Sequence, residues 1–346
     1  MTTTITSGAA LVSTGAQGRP LGETADVARR SNRCIPDEAW RSPQPTPERR
    51  GPAARGLVRC RLRVARRSHH LAARPPLRML AVPDPATPLV IVDRDPDGLV
   101  ATVTLHRPAS HNALNQALAS DLRRELDLLA QDALLRAVVV TGAGERAFCV
   151  GADLKERLAL SPRERTGHTA AIAAAVEALA ALPVPTIAAI RGYALAGGAE
   201  LALACDLRVA AEDASFGFPE VRIGIFPGAG GVFRLPRLVG AGIARDLLFT
   251  GRRCDAVEAQ RLGLVDRLVA PGEVVSTAAA LARDIAGNAP LALRAVKRAL
   301  LESAALPDPK ARAAVDRHRA ALDGTADYAE GLAAFAERRR PSFTGS

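Results

Sequence analysis

Residues 191–210 read RGYALAGGAELALACDLRVA. The stretch is mostly small and apolar, yet its single glutamate, Glu200, follows Gly197 and Gly198 closely. A lone Glu in a segment built for burial is costly unless something uses or satisfies it. The pattern predicts a strand over PTIAAIRG (185–192), a helix opening at the two glycines, and a strand–turn–strand over CDLRVAAEDASFGF (205–218).

The same reading extends upstream and downstream. LVIVDRD (89–95) and LVATVTLHRP (99–108) are β-rich runs on either side of a DPDG turn, a hairpin signature. NALNQALASDLRRELDLLAQD (112–132) carries Leu114, Leu118, Leu122, Leu126 and Leu129 at helical spacing. LRAVVVTG (135–142) is a short β-branched strand, and TAAIAAAVEALAAL (169–182) predicts a helix that ends before Pro183. From about residue 272 the chain reads as helices throughout. Strands alternating with helices imply an α/β body with a helical tail.

Charge divides the 346-residue chain more sharply than any motif. Residues 1–78 hold fifteen Arg, no Lys and five acids, which accounts for the whole net charge of +10. The remaining 268 residues carry 31 basic and 31 acidic side chains, so the body is neutral. The extension is rich in Pro, Arg, Ser and Ala without periodicity and is expected to be disordered. Three readings compete for it. Asp37, Glu38 and Glu48 spoil the acid-poor pattern of a transit peptide. An RNA-binding tail would suit the charge, but Trp40 is the only aromatic residue among its arginines. The third reading, an upstream start called in place of Met79, is preferred.

Hydrophobic residues make up 48% of the chain, ample for a core. The stretch 187–204 comes nearest to a membrane span, but Arg191, two glycines and Glu200 break it. Cys34, Cys60, Cys149, Cys205 and Cys254 are scattered, with no CxxC, and read as reduced thiols of an intracellular protein. The His69–His70 pair reads as chance, and His106, His111, His168 and His318 as ordinary structural residues.

AVVVTGAGERA places Gly142, Gly144 and Ala147 after a strand in a G-x-G-x-x-A pattern, the dinucleotide-binding fingerprint. That fingerprint needs a helix opening at the last glycine. Here ERAFCVGAD follows, with strand and loop character, so the glycines read as a turn and a dehydrogenase is not expected.

A stronger constellation is triple: AFCVGADLKE (147–156), RGYALAGGAELALACD (191–206) and ASFGFPEVRIGIFPGAGGVFRLPRLVG (214–240). A helix opening at Gly197 offers unpaired N–H groups and a positive dipole end to an oxygen gaining charge. The GAD turn can supply a second N–H, and two such donors on one carbonyl make an oxyanion hole. Glu200 projects about one turn beyond Gly197, and Glu220 follows a proline in a loop within reach of the same pocket. Taken singly, Glu200 reads as a dipole partner of its own helix and Glu220 as a surface residue; together they read as a site.

These three blocks, with HRPASHNALN near the start, FTGRRCDAVEAQRLGLVD (249–266) and GLAAFAERRRPSF at the end, resemble the crotonase superfamily, and within it the enoyl-CoA hydratases. The resemblance runs from about residue 88 to the C-terminus. It implies a crotonase-like α/β spiral of ββα units, with a catalytic core over 79–271 and a helical trimerisation region over 272–346. It implies an acyl-CoA thioester substrate, no separate cofactor or metal, and a homotrimer or homohexamer. By the same similarity, the N–H groups of Ala152 and Gly197 would hold the thioester oxygen. Asp153, Leu154, Lys155 and Gly228 would line the coenzyme A path. Glu200 would position and activate water, and Glu220 would protonate C2.

Three departures stand out: Ala196 replaces the first of the family's glycines, Phe218 precedes the Pro–Glu, and Val232–Phe233 stand where Thr–Gln is usual. The last two make the region more apolar and bear on the acyl pocket. Enoyl-CoA hydration is the function expected, in the cytoplasm, or in an organelle if residues 1–78 are a transit peptide. A Δ3,Δ2-enoyl-CoA isomerase or another acyl-CoA lyase is the alternative within the superfamily. Of another class is an RNA-binding member using the basic extension; with a neutral body, neither nucleic acid nor membrane is an expected partner.

Overall fold

A computed structural model describes residues 88–346. The extension over 1–78, Met79, Cys34, Cys60 and His69–His70 lie outside the described residues. Val90–Arg94 (β1) and Val100–Leu105 (β2) form the expected antiparallel hairpin, with Val90 opposite Leu105. Gln116–Ala130 (α1) is capped by Asn115, whose side chain accepts from the Leu118 N–H. Leu118, Leu122, Leu126 and Leu129 form its buried face; Leu114 is buried too, but it precedes the cap.

Ala137–Gly142 (β3) and Ala147–Cys149 (β4) lead into Leu154–Ala159 (α2) and Pro162–Ala180 (α3). The helix expected to start at residue 169 therefore starts seven residues earlier. Apolar spacing marks only its buried half, whereas its start is set by a reciprocal capping box between Ser161 and Glu164 with Pro162 in the first turn. Thr186–Ile190 (β5), Tyr193–Leu195 (β6) and Gly197–Ala204 (α4) come next, and α4 opens at the two glycines as expected. Leu207–Ala211 (β7) and Ser215–Gly217 (β8) precede a 3-10 turn over Pro219–Ile223, followed by Gly231–Val239 (α5).

The chain thus repeats strand, strand, helix four times. Ala241–Thr250 (α6), Arg253–Asp255 (β9), Ala256–Arg261 (α7) and Arg267–Val269 (β10) follow. The rest is helical: Val274–Ala286 (α8), Pro290–Ser303 (α9), Asp308–Ala320 (α10) and Ala326–Glu337 (α11). After the first repeat, the first strand of each unit enters a six-stranded sheet, β1-β2-β3-β5-β7-β10. The second strand of each enters a four-stranded sheet, β4-β6-β8-β9. Beyond the hairpin the larger sheet is parallel. All residues of β3 and β5 are buried, the continuous apolar run that a parallel strand covered on both faces requires.

No helix opens after Gly142 or Gly144; the chain continues into β4, so the dinucleotide-binding geometry is absent there. The helical region after 272 is not detached from the body, because α8 packs against β2, β3, β5 and β7. The Lys297 ammonium of α9 reaches the Asp206 carboxylate at 2.7 Å and the Val184 carbonyl at 2.8 Å. Among the described residues, no helix is long and apolar enough to cross a membrane.

Candidate active site

The alternation between two sheets leaves strand ends and helix starts facing one cavity of about 420 Å³. Gly151, at φ +82, turns the chain after β4, a conformation costly to side-chain-bearing residues. A Cβ on Gly151 would lie 2.7 Å from the Gly197 nitrogen, so the GAD turn and the start of α4 are in direct backbone contact. Leu114 clamps the turn: its N–H donates to the Gly151 carbonyl at 2.7 Å, and its carbonyl accepts from the Asp153 N–H at 2.9 Å. Between those two bonds, the Ala152 N–H has no protein acceptor among the described residues. Gly197 is the first residue of α4, and its N–H is one of the donors a helix leaves unpaired. Ala152 and Gly197 both line the cavity.

Glu200 and Glu220 line it as well, and both are buried. Glu200 serves a different helix from its own: its Oε1 accepts from the N–H groups of Ala229 and Gly231, each at 2.8 Å, at the start of α5. Burial pushes its pKa above the ordinary carboxylate range, while those N–H groups and the Arg234 guanidinium pull the other way. Fixed N–H donors and a positive helix end favour the ionised form. Glu220 has less help, from its own backbone N–H alone. Its Oε2 is buried without a hydrogen-bond partner among the described residues, and burial together with the nearby Glu200 charge raises its pKa to about 7. One carboxyl is therefore held as an oriented acceptor and the other is poised to carry a proton near neutrality.

The remaining site residues divide. Leu154 and Gly228 line the cavity, whereas Asp153 and Lys155 do not. The Asp153 side chain caps α2, accepting from the Lys155 and Glu156 N–H groups, and pairs with Arg107 at 3.0 Å. Lys155 is exposed. Phe218 is buried away from the cavity wall, and Val232 and Phe233 are half exposed outside it, with Phe233 against the Arg234 and Arg237 guanidiniums. None of these three apolar residues lines the cavity directly. Ala196 does line it, at φ +51, a left-handed conformation where glycine carries no penalty.

Of the supporting residues, the sequence reading named only His168, as an ordinary structural histidine, and that is the role it has. Within HRPASHNALN, the Asn112 amide is fully buried and donates to the Ala143 and Ala147 carbonyls, tying the loop to β4. Buried His168 holds the Leu114 carbonyl through Nε2 at 2.9 Å. Arg157 of α2 faces the cavity. The length of the HRPASHNALN motif was the available signal for the first; nothing local marks the other two. Burial pushes the Cys149 and Cys205 thiols up to about 12, so they stay protonated and serve as small core residues.

A family model described as Enoyl-CoA hydratase/isomerase matches residues 96–346. A short-chain-enoyl-CoA hydratase of Clostridium acetobutylicum is 38% identical over 251 residues, covering 72% of this chain and 95% of that protein. A probable mitochondrial enoyl-CoA hydratase 2 of Arabidopsis thaliana is 41% identical over 250 residues, covering 72% of this chain and 83% of that protein. Among solved structures, the enoyl-CoA hydratase of Bacillus anthracis superposes with a TM-score of 0.74 at 40% identity. It is matched over 75% of this chain and 100% of its own. The repeated strand–strand–helix units, the backbone donors flanking a buried acid pair and these matches place the chain in the enoyl-CoA hydratase/isomerase family of the crotonase superfamily.

Proposed function

We propose that the protein is an enoyl-CoA hydratase that adds water across a trans-2-enoyl-CoA to give a 3-hydroxyacyl-CoA. The observation that carries this reading is the pair of buried carboxyls, Glu200 and Glu220, in the cavity that Ala152 and Gly197 also line. The thioester oxygen accepts from those two N–H groups and gains charge as C2 becomes an enolate carbon. A fixed donor of this kind contributes about 2.7–4 kcal/mol to the transition state. Glu200, oriented by the Ala229 and Gly231 N–H groups, holds the water that attacks C3 and takes its proton. Glu220, with its unpartnered oxygen and pKa near 7, delivers a proton to C2. General acid and base help of this kind is worth on the order of 10²–10⁴-fold each. An isomerase moves one proton with a single carboxylate; two buried carboxyls with opposed environments favour hydration.

The test is hydration of crotonyl-CoA by the full chain beside Glu200→Gln and Glu220→Gln. Each substitution is expected to lower kcat by at least 10²-fold. A wild-type protein that binds the thioester, adds no water and isomerises a 3-enoyl-CoA would overturn the reading. Trimer or hexamer assembly through α9 to α11 belongs to the same proposal, because Leu300, Leu301, Leu332 and Phe335 stand exposed on those helices. Sedimentation equilibrium showing a monomer would retire it. The cytoplasm is the proposed compartment; import of a reporter fused to residues 1–87 would assign an organelle instead.

A further inference from the structure

The cavity wall is mainly apolar, with Val150, Leu154, Ile172, Ile223, Ile225 and Phe226 around the acid pair. Arg157 is the only basic residue among the described residues that line it. Its Nε donates to His168 Nδ1 at 3.4 Å and its Nη2 to Thr169 Oγ1. The proton on His168 Nε2 that serves the Leu114 carbonyl leaves Nδ1 as the acceptor, so both contacts are met by one neutral tautomer. A guanidinium carries five N–H donors. Three are therefore without a protein acceptor among the described residues, and Arg157 forms no ion pair there.

Its surroundings exclude two structural roles. Arg157 is not the counter-ion of the acid pair: the cation beside Glu200 is Arg234, and the charge acting on Glu220 is Glu200. Nor does an acidic neighbour balance it. The charged group beside it is Arg165 of α3, whose Nε donates to the Arg157 carbonyl at 3.1 Å. Burial, and then that like charge, disfavour its protonated form. A half-buried cation facing an apolar wall without an anion is costly to maintain.

We propose that Arg157 binds a carboxylate on the acyl chain of the substrate, so that the preferred thioester is an enoyl-CoA with a second, distal carboxyl group. This rests on the hydratase reading above. A carboxylate accepts two parallel N–H bonds from a guanidinium, a geometry with both strength and direction. A phosphate of coenzyme A offers the same chemistry, but Arg157 shares its cavity with the acid pair, whereas Lys155, the basic residue assigned to the coenzyme A path, lies outside that cavity. A Glu220 that carries a proton near neutrality lessens the repulsion that a second substrate carboxylate would meet.

Calorimetric binding by the full chain compares glutaryl-CoA with valeryl-CoA and adipyl-CoA with hexanoyl-CoA, pairs equal in carbon number that differ in a terminal carboxylate. Wild type is expected to bind a carboxylated member at least tenfold tighter than its neutral match. Arg157→Met erases that ratio, and Arg157→Lys keeps part of it. In turnover, kcat/KM for glutaconyl-CoA over 2-pentenoyl-CoA follows the same order. Equal affinities in wild type, or a preference that survives Arg157→Met, overturn the proposal. So does an Arg157→Met loss that is equal for both members and for free coenzyme A, which would assign the guanidinium to a phosphate. Should Arg157→Met not fold, the wild-type ratio and Arg157→Lys still decide. Hydration of pentenoyl-CoA without a carboxylate preference retires this inference alone; a binding preference without hydration of either enoyl thioester retires the hydratase reading alone.

Discussion

Glu220 gives the site a pH signature that stability measurements can read independently of rate. Its folded pKa, about 7, lies above the ordinary carboxylate value of 4.5. A raised carboxyl favours folding fully below the unfolded value, and that advantage is lost as pH rises through about 7. Glutamine does not titrate, so Glu220→Gln should gain stability over wild type from pH 5 to pH 8, with most of the gain accruing between pH 5 and 7 and a levelling above 7. Urea unfolding at the two pH values checks this, and a constant difference would refute it. Ala196 is the second residue-scale prediction. Holding alanine at φ +51 costs about 1–3 kcal/mol, whereas the added chain entropy of glycine costs about 0.5–1 kcal/mol. Strain relief wins, and Ala196→Gly should stabilise by about 1 kcal/mol in the same assay.

At the scale of the element, α4 shows why its two glycines are not equivalent. A Cβ on Gly198 would lie 2.0 Å from the Cys149 carbonyl oxygen, a backbone atom of β4 that cannot yield without moving the strand. At Gly197 the nearest atom would be 3.4 Å away, ordinary contact. Gly198→Ala should therefore cost about 3 kcal/mol or more, and Gly197→Ala less than about 0.5 kcal/mol, as read by denaturant midpoints. Comparable losses at both positions would show that helix placement tolerates more than this packing implies. The glycine pair announced the start of a helix in the sequence. Which glycine touches β4 was not legible, because it depends on a strand about fifty residues upstream.

At the scale of the molecule, one buried ion pair joins the C-terminal helices to the body. Lys297 is 6% exposed and meets the Asp206 carboxylate, whose side chain is about one-third exposed at 34% and also accepts from the Thr186 N–H and hydroxyl. The two ends are therefore unequal. Asp206→Ala strands a buried ammonium with only the Val184 carbonyl and should cost about 3–5 kcal/mol. Lys297→Met leaves a partly solvated carboxylate that retains two donors and should cost clearly less. Unfolding free energies in the reverse order would refute this account of how α9 is held.

The sequence by itself determined the local periodicities and their punctuation: the hairpin at Asp95–Gly98, the buried leucine face of α1, the opening of α4 at its glycines, and the motif blocks that carry the family resemblance. These signals lie within one element, where side-chain spacing and backbone preference act directly. It also placed both glutamates in one site, though only through the joint occurrence of three blocks. Only the tertiary structure decided what each carboxyl meets. Glu200 answers to N–H groups at the start of α5, about thirty residues away, while Glu220 Oε2 meets no partner among the described residues and Arg157 faces the same cavity. The cost of a buried charge depends on which distant backbone supplies its partners, and that pairing exists only once the two sheets have brought the elements together.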